Sequence, residues 1–242
     1  MFKVKTKGSS DIKAIVGAIA TIAEEATFIA DENGMKFRTM DPSHISLIDM
    51  QLPKEAFESY ECPTEIKFGV RIADLSKIIK RSKKDEDVTI SVTAQNMLLI
   101  NVGDSKEFEM RLIEAESTET PLPKIDYDTK AIIPLSSIRE ALTDIGIFSE
   151  YFSIDATPES VVFSGKGDSG KVTISVDEIS EPITGTASVT HELKDLVSVI
   201  GSFVEKDMDC TIELSSNKPA KYIFKIAGVG IINFFMAPRV ES

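Results

Sequence analysis

The sequence is short of the residues from which metal centres, disulfide frameworks and membrane spans are built. Cys62 and Cys210 are its only cysteines, too few for a disulfide framework or a zinc site. His44 and His191 are its only histidines and stand far apart, so the usual ligand spacings assemble no metal cluster. No apolar run reaches the roughly 18 residues of a membrane-spanning helix. Met1-Phe2-Lys3 opens directly into alternation, so no signal peptide is expected. Neither histidine has a matching Ser or Cys motif, so no nucleophile and base stand out. His191, after Thr190 at an expected helix start, reads as a first-turn surface residue. Positive charge is scarce as well: 27 Lys and Arg against 39 Asp and Glu leave a net charge of −12. Taken as an average, that disfavours nucleic acid as a partner. The expectation is an intracellular protein with no catalytic site, no metal, no cofactor and no membrane partner.

What is present is ordinary in amount and uneven in distribution. An apolar fraction of 42% and 27% charged residues suit a soluble globular chain, and 242 residues suggest one large or two small domains. Between residues 71 and 84, Arg71, Lys77, Lys80, Arg81, Lys83 and Lys84 face only Asp74. Between residues 114 and 128, Glu114, Glu116, Glu119, Asp126 and Asp128 face only Lys124.

Periodicity supplies the elements. Phe2–Thr6 alternates like a strand with one wet face. Ser9, Ser10 and Asp11 offer an N-cap for a helix with core residues Ile12, Ile15, Val16, Ile19, Ile22 and Ala23. Its other face, Lys13, Ala14, Gly17, Ala20 and Thr21, is small. Strands are expected at 26–30 and 35–39, joined by a tight turn in which Asn33-Gly34 supplies positive φ. Ser46–Leu52 alternates and stops at Pro53. Glu65–Val70 leads into a helix expected over Ile72–Lys83, on which Lys77, Lys80, Arg81 and Lys84 share one face. Four like charges at that spacing repel by a few tenths of a kcal/mol per pair. Either the face is simply solvated, or a phosphate backbone relieves the repulsion. Strands at 88–92, 97–101 and 108–112 close the first half.

The acidic, Pro- and Thr-rich stretch Glu114–Asp128 has no period and reads as an interdomain linker. Beyond it the plan repeats: a strand at 131–133, Pro134, and a helix with core residues Ile138, Ala141, Leu142 and Ile145. A hairpin follows over 151–164, echoing the one over 28–39. Asp195-Leu196, then Lys206 to Ile212, repeat the order of Asp74-Leu75, then Lys84 to Ile90. Two domains are expected, 1–117 and 129–242, joined by the linker 118–128. Each holds mostly antiparallel sheets and two segregated helices, an α+β class.

Gly165-Lys166-Gly167-Asp168-Ser169-Gly170-Lys171 matches the core of a phosphate-binding loop. Val172 stands where that motif requires Ser or Thr, and strand patterns flank the loop on both sides. It reads as a hairpin turn.

A final stretch displays apolar side chains where a turn normally shows Gly and Ser: Met40-Asp41-Pro42-Ser43-His44-Ile45-Ser46-Leu47. Such a loop either tucks under a neighbouring segment or receives a partner. The octet resembles the loop at the mouth of the partner-peptide pocket in the proliferating cell nuclear antigen family, the trimeric DNA sliding clamps of eukaryotes and archaea. Gly69-Val70-Arg71 through Lys80 resembles that family's second helix. Tyr222–Ile226 and Phe234-Phe235-Met236-Ala237-Pro238-Arg239-Val240-Glu241 resemble its last strands and tail, and the stop at Ser242 resembles archaeal members.

The resemblance implies a ring of three subunits in which helices line a hole around duplex DNA. Lys77, Lys80, Arg81 and Lys84 would face that hole, with Lys13, Arg139 and Lys194 as the main cations of the other helices. The implied partner-peptide pocket comprises Met40, His44, Ile45 and Leu47, then Leu122, Pro123 and Tyr127 of the linker, then Phe235, Ala237 and Pro238. Edge strands would pair between subunits, Phe108, Met110 and Leu112 against Val172, Ile174 and Val176. Partners would be DNA polymerase, clamp loader, nuclease and ligase, bound through short anchor peptides, and further copies of the chain. The site of action would be cytoplasm or nucleoid in an archaeon and the nucleus in a eukaryote. The linker departs from the family's Leu-Gly-Ile-Pro, reading Thr120-Pro121-Leu122-Pro123, which stiffens it. Two other functions stay open on the sequence: an interaction scaffold or checkpoint-type ring subunit, and a nucleotide-using enzyme built on Gly165–Lys171.

Overall fold

The structure, a computed structural model, describes residues 2–115, 120–203 and 208–239. Glu116 and Glu119 of the acidic stretch, residues 117–118 at the expected domain boundary, Lys206 and Asp207, and Val240, Glu241 and Ser242 lie outside them. The chain forms two compact units. One comprises Met1–Asp41, Ile48–Thr120 and Lys225–Ile232, the other Pro42–Leu47, Pro121–Phe224 and Asn233–Ser242. Most of the apolar octet thus belongs with the second half of the chain.

The first unit runs β1 (Phe2–Lys5), α1 (Ser10–Ile22), β2 (Glu25–Asp31), β3 (Gly34–Met40), β4 (Ser46–Pro53, begun in the second unit), β5 (Ser59–Glu61), β6 (Ile66–Arg71), α2 (Ile72–Ile79), β7 (Val88–Val92), β8 (Met97–Val102) and β9 (Lys106–Arg111). Its strands are ordered β5-β1-β7-β8-β9 in one sheet and β4-β3-β2-β6 in another. The second unit runs β10 (Thr129–Pro134), α3 (Leu135–Ile145), β11 (Tyr151–Thr157), β12 (Ser160–Lys166), β13 (Lys171–Val176), β14 (Ala187–Glu192), α4 (Leu193–Gly201), β15 (Asp209–Leu214), β16 (Ala220–Ile226, ended in the first unit) and β17 (Gly230–Met236, begun in the first unit). Its orders are β13-β12-β11-β14 and β10-β15-β16-β17. The pairings of β1 with β5 and β7, of β11 with β12 and β14, and of β10 with β15 are antiparallel. With two helices per unit this is the expected α+β plan.

Three of the helices start straight out of a strand, and their first amides find carbonyls on neighbouring segments instead of capping side chains. Ile72 N donates to Glu24 O (2.9 Å), Leu135 N to Met208 O (2.8 Å) and Leu193 N to Glu150 O (2.8 Å). Orphan amides at a helix start need partners of some kind; here tertiary structure supplies them. Ser9 does precede α1, but its side chain makes no cap. It is buried, and its Oγ donates to Lys83 O at 2.6 Å. The turn between β2 and β3 also differs from expectation: positive φ is absent from Asn33, and Asp31 Oδ1 accepts from Asn33 N (2.7 Å) and Gly34 N (3.2 Å) instead.

Each unit has its own core. In the first, Phe68 stacks on Phe28 (5.6 Å between ring centroids) and meets Phe2 (5.2 Å), and Ile12, Ile15 and Ile19 of α1 and Leu75 and Ile79 of α2 are buried. In the second, Phe203 stacks on Phe224 (4.8 Å), and Ile138, Leu142, Leu196 and Ile200 are buried. Side chains of this size contribute roughly 1.5–3 kcal/mol each when fully buried. Among the described residues no helix is long and apolar enough to cross a membrane.

Candidate functional site

The octet and the C-terminal tail meet in the second unit. Ala237 N donates to Ile45 O at 2.8 Å, and Ser46 Oγ donates to Asp195 Oδ2 at 2.7 Å. Asp195 stands in the first turn of α4, as Asp74 does in α2; Asp74 is spent on the exposed Lys77 (3.1 Å), whereas Asp195 holds the octet. His44 is exposed at the tip with φ of 60°, a conformation few non-glycine residues adopt. Ile45 is half-buried. Leu47 is not a displayed anchor: it is 3% exposed and packs inside the unit. Within the octet, Asp41, Ser46 and Leu47 are buried, Met40 and Ile45 are half-buried, and Pro42, Ser43 and His44 are exposed. Met40 ends β3, half-buried, in the first unit.

Of the tail residues, Ala237 and Pro238 are half-buried and Phe235 is 6% exposed. Lys221 Nζ lies 6.0 Å from the Phe235 ring centroid and pairs with Glu213 at 3.1 Å. Leu122, Pro123 and Tyr127 of the linker are half-buried. The Tyr127 hydroxyl is itself enclosed without a partner among the described residues, and burial, then the Glu213 charge, pushes its pKa up to about 12.

Both described ends of the linker are pinned, each within its own unit. Arg38 Nη1 donates to Thr120 O (3.1 Å) while its Nε donates to the buried Asp49 (2.8 Å). Ser215 Oγ accepts from Asp128 N (3.0 Å) and donates to Asp126 O (3.3 Å). Sequence reasoning missed Arg38, Asp49, Asp195 and Ser215, because polar pins make no periodic pattern.

It also misplaced His191. This residue lies in β14, not in a helical first turn, and is 0% exposed. The signal was there: Ala187, Val189 and His191 alternate inward with Ser188 and Glu192 outward, but a histidine is easily counted as polar. Its Nδ1 lies 2.9 Å from Ala237 O, and its Nε2 is buried without a partner among the described residues. Burial lowers its pKa to about 4, opposed only in part by that hydrogen bond.

The cationic surface is less regular than expected. α2 stops at Ile79, so Lys80 is its C-cap while Arg81 and Lys84 lie beyond the helix, and the four cations do not form one helical stripe. The cause is a tight closing turn: Arg81 N donates to Ile78 O (2.9 Å), and Ser82 satisfies Ile79 O through both its amide (3.1 Å) and its hydroxyl (2.6 Å). Lys77, Lys80, Arg81, Lys84 and, on α4, Lys194 are exposed. Lys13 and Arg139 are half-buried and tied to carbonyls, Lys13 to Ser82 O (2.7 Å) and Arg139 to Phe203 O (3.4 Å). On the small face of α1, Ala20 is exposed but Ala14 is buried.

β9 and β13 both end their sheets. Phe108 and Met110 are half-buried between the exposed Glu107, Glu109 and Arg111, and Leu112 lies one residue past the end of β9. Val172 and Ile174 are half-buried between exposed neighbours, while Val176 is buried. The phosphate-loop lookalike joins β12 to β13, closed by Gly167 N to Gly170 O at 3.0 Å. Gly167 is required there because a Cβ would run into the Phe148 carbonyl. With no helix following it, the loop lacks what a phosphate cradle needs.

The likeness to known proteins runs along the whole chain. The model of the proliferating cell nuclear antigen N-terminal domain matches residues 1–122, and that of its C-terminal domain residues 121–239. The DNA polymerase sliding clamp of Nitrosopumilus maritimus is 48% identical over 246 residues, covering 100% of this chain and 99% of its own. The PCNA of Thermococcus kodakaraensis superposes with a TM-score of 0.93 at 20% identity, covering 99% of this chain and 100% of its own. The A. fulgidus PCNA solved with the C-terminal region of FEN-1 bound gives 0.92 at 23% identity, covering 100% of both chains. With both domain models matched and a relative nearly half identical from end to end, the chain belongs to the proliferating cell nuclear antigen family of DNA polymerase sliding clamps.

Proposed function

We propose that the chain is a non-enzymatic sliding clamp inside the cell, three copies of which encircle duplex DNA and tether DNA polymerase, clamp loader, nuclease and ligase by short anchor peptides. The observation that carries this reading is the end-to-end match to DNA polymerase sliding clamps. The domains divide as 1–117 and 129–242 about the linker 118–128. The exposed cations Lys77, Lys80, Arg81, Lys84 and Lys194 face the DNA, and the edges β9 and β13 join one copy to the next. Partner peptides lie against Ile45, Ala237 and Pro238. Support for the last point comes from the A. fulgidus relative, whose structure holds the C-terminal region of FEN-1.

A clamp that encircles DNA holds it by topology, whereas charge-driven binding falls steeply as added salt removes the gain from counterion release. Loaded onto closed circular DNA, the protein should stay bound in salt that removes ordinary basic proteins, and cutting the circle should release it. Equal retention on circular and linear DNA of one sequence would mean a grip on DNA, and the clamp reading would fall.

A further inference from the structure

The tail residue Ala237 is held on both sides of its own backbone. Its amide donates to Ile45 O at 2.8 Å, and its carbonyl lies 2.9 Å from His191 Nδ1. Two residues on, Arg239 N donates to Thr190 O at 2.7 Å, and the Arg239 guanidinium sits 3.7 Å from the Tyr151 ring centroid. The tail therefore lies along the outer edge of β14, the last strand of its sheet. We infer that His191 is a positioning residue for the tail: its Nδ1–H fixes the carbonyl of Ala237, so that the Ala237 amide stays aimed at Ile45. The inference rests on the reading of Ile45, Ala237 and Pro238 as the partner-peptide site, and names what holds that site in register.

His191 is otherwise hard to account for where it stands. It points inward from β14 beside Ala187 and Val189, with the Phe152 ring 5.6 Å and the Tyr222 ring 6.3 Å away. An apolar side chain would fill that place without desolvating two ring nitrogens. One nitrogen is compensated, by the tail carbonyl; the other has no partner among the described residues. The polarity of His191 thus serves a single contact, the one to Ala237. Because a carbonyl only accepts, that contact also sets the tautomer: the proton is on Nδ1, and Nε2 carries the lone pair. Losing the donor leaves the Ala237 carbonyl short of a partner and weakens the Thr190 bond two residues on, while the Tyr151 stacking remains. The consequence is a loosened tail, not an unfolded domain.

The test uses the full chain. The ring-nitrogen shifts of histidine-labelled protein at neutral pH should show His191 as the Nδ1–H tautomer; an Nε2–H tautomer overturns the inference without any variant. His191→Phe should then speed amide exchange at Ala237 and Arg239 by about tenfold, the scale of one hydrogen bond. Exchange in β11 and β12 should be unchanged. His191→Asn, whose side-chain amide nitrogen can donate from the place of Nδ1, should restore protection. A polymerase-derived anchor peptide should bind His191→Phe about five- to tenfold more weakly, and His191→Asn nearly as well as the unaltered chain. Unchanged exchange at Ala237 and Arg239 in His191→Phe also overturns the inference. A peptide that fails to bind even the unaltered chain sinks the partner-site reading instead, and the tautomer and exchange results still decide the role of His191.

Discussion

Ile45 and Leu47 stand two residues apart and should fail in different ways. Leu47 is buried in the free chain, so Leu47→Ala should lower stability by ~2–5 kcal/mol, the usual range for such a truncation. Ile45 is half-buried, next to the exposed His44. Ile45→Ala should leave stability nearly unchanged and weaken an anchor peptide by ~1–3 kcal/mol. Denaturant unfolding and titration calorimetry separate the two, and the reverse assignment would move the peptide elsewhere. His191 makes a second residue-scale prediction, in pH. Its pKa is 6.5 when unperturbed and about 4 in the fold. Between those values the unfolded chain takes up a proton that the folded chain refuses. The contribution of His191 to stability is therefore fully present above pH 6.5 and is lost as pH falls toward 4. The loss at pH about 4.5 should be roughly 2–3 kcal/mol, and His191→Phe should abolish that part of the acid sensitivity. A variant as acid-sensitive as the parent would mean that the imidazole is not held neutral. Neither prediction was drawn from the sequence: burial of Leu47 depends on segments far away in the chain, and the inward alternation that marks His191 is masked when a histidine is counted as polar.

At the scale of elements, legibility followed periodicity. The alternation of β9 and β13 was visible in Phe108-Glu109-Met110 and Val172-Thr173-Ile174, and the structure makes both of them sheet edges. If these edges pair between copies, half-buried Ile174 becomes buried, and Ile174→Asp places a carboxylate without a partner in the interface. That should cost on the order of 3–5 kcal/mol per interface and convert trimers to monomers by native mass, with far-UV circular dichroism unchanged. A variant that stays trimeric would remove β13 from the interface. The length of α2 was not legible. The apolar stripe Ile72, Leu75, Ile78 and Ile79 marked its presence, but no Gly or Pro follows to mark its end. The stop comes from Ser82, whose amide and hydroxyl both turn back to Ile79 O, and a serine in that place looks like one more exposed helical residue. Of the helix starts, Ile72 for α2 and the position after Pro134 for α3 agree with expectation. α4 instead starts at Leu193, past the start expected at His191, with its first amide held by Glu150 O, a tertiary partner that no local capping pattern reports.

At the scale of the whole molecule, an acidic protein must admit DNA, itself a polyanion. With a net charge of −12, long-range attraction is weak, and the exposed cations of the first unit concentrate in α2 and the turn after it. Lys77 is already shared with Asp74 at 3.1 Å, an exposed pair worth little by itself. Lys106 Nζ donates to Arg81 O at 3.3 Å, which sets the cationic turn beside the start of β9. These facts give a single experiment two distinguishable outcomes. If Lys77, Lys80, Arg81 and Lys84 meet phosphates, changing all four to Glu should slow loading onto circular DNA. It should also flatten the dependence of loading on the logarithm of salt concentration, by roughly one unit of slope for each phosphate no longer neutralised. Trimer mass and peptide affinity should be unaffected. An unchanged salt slope together with a loss of trimers would instead assign these cations to the interface between copies, next to β9. The DNA-facing role would then pass to the other helices, where Lys194 is exposed and Lys13 and Arg139 are bound to carbonyls of their own unit.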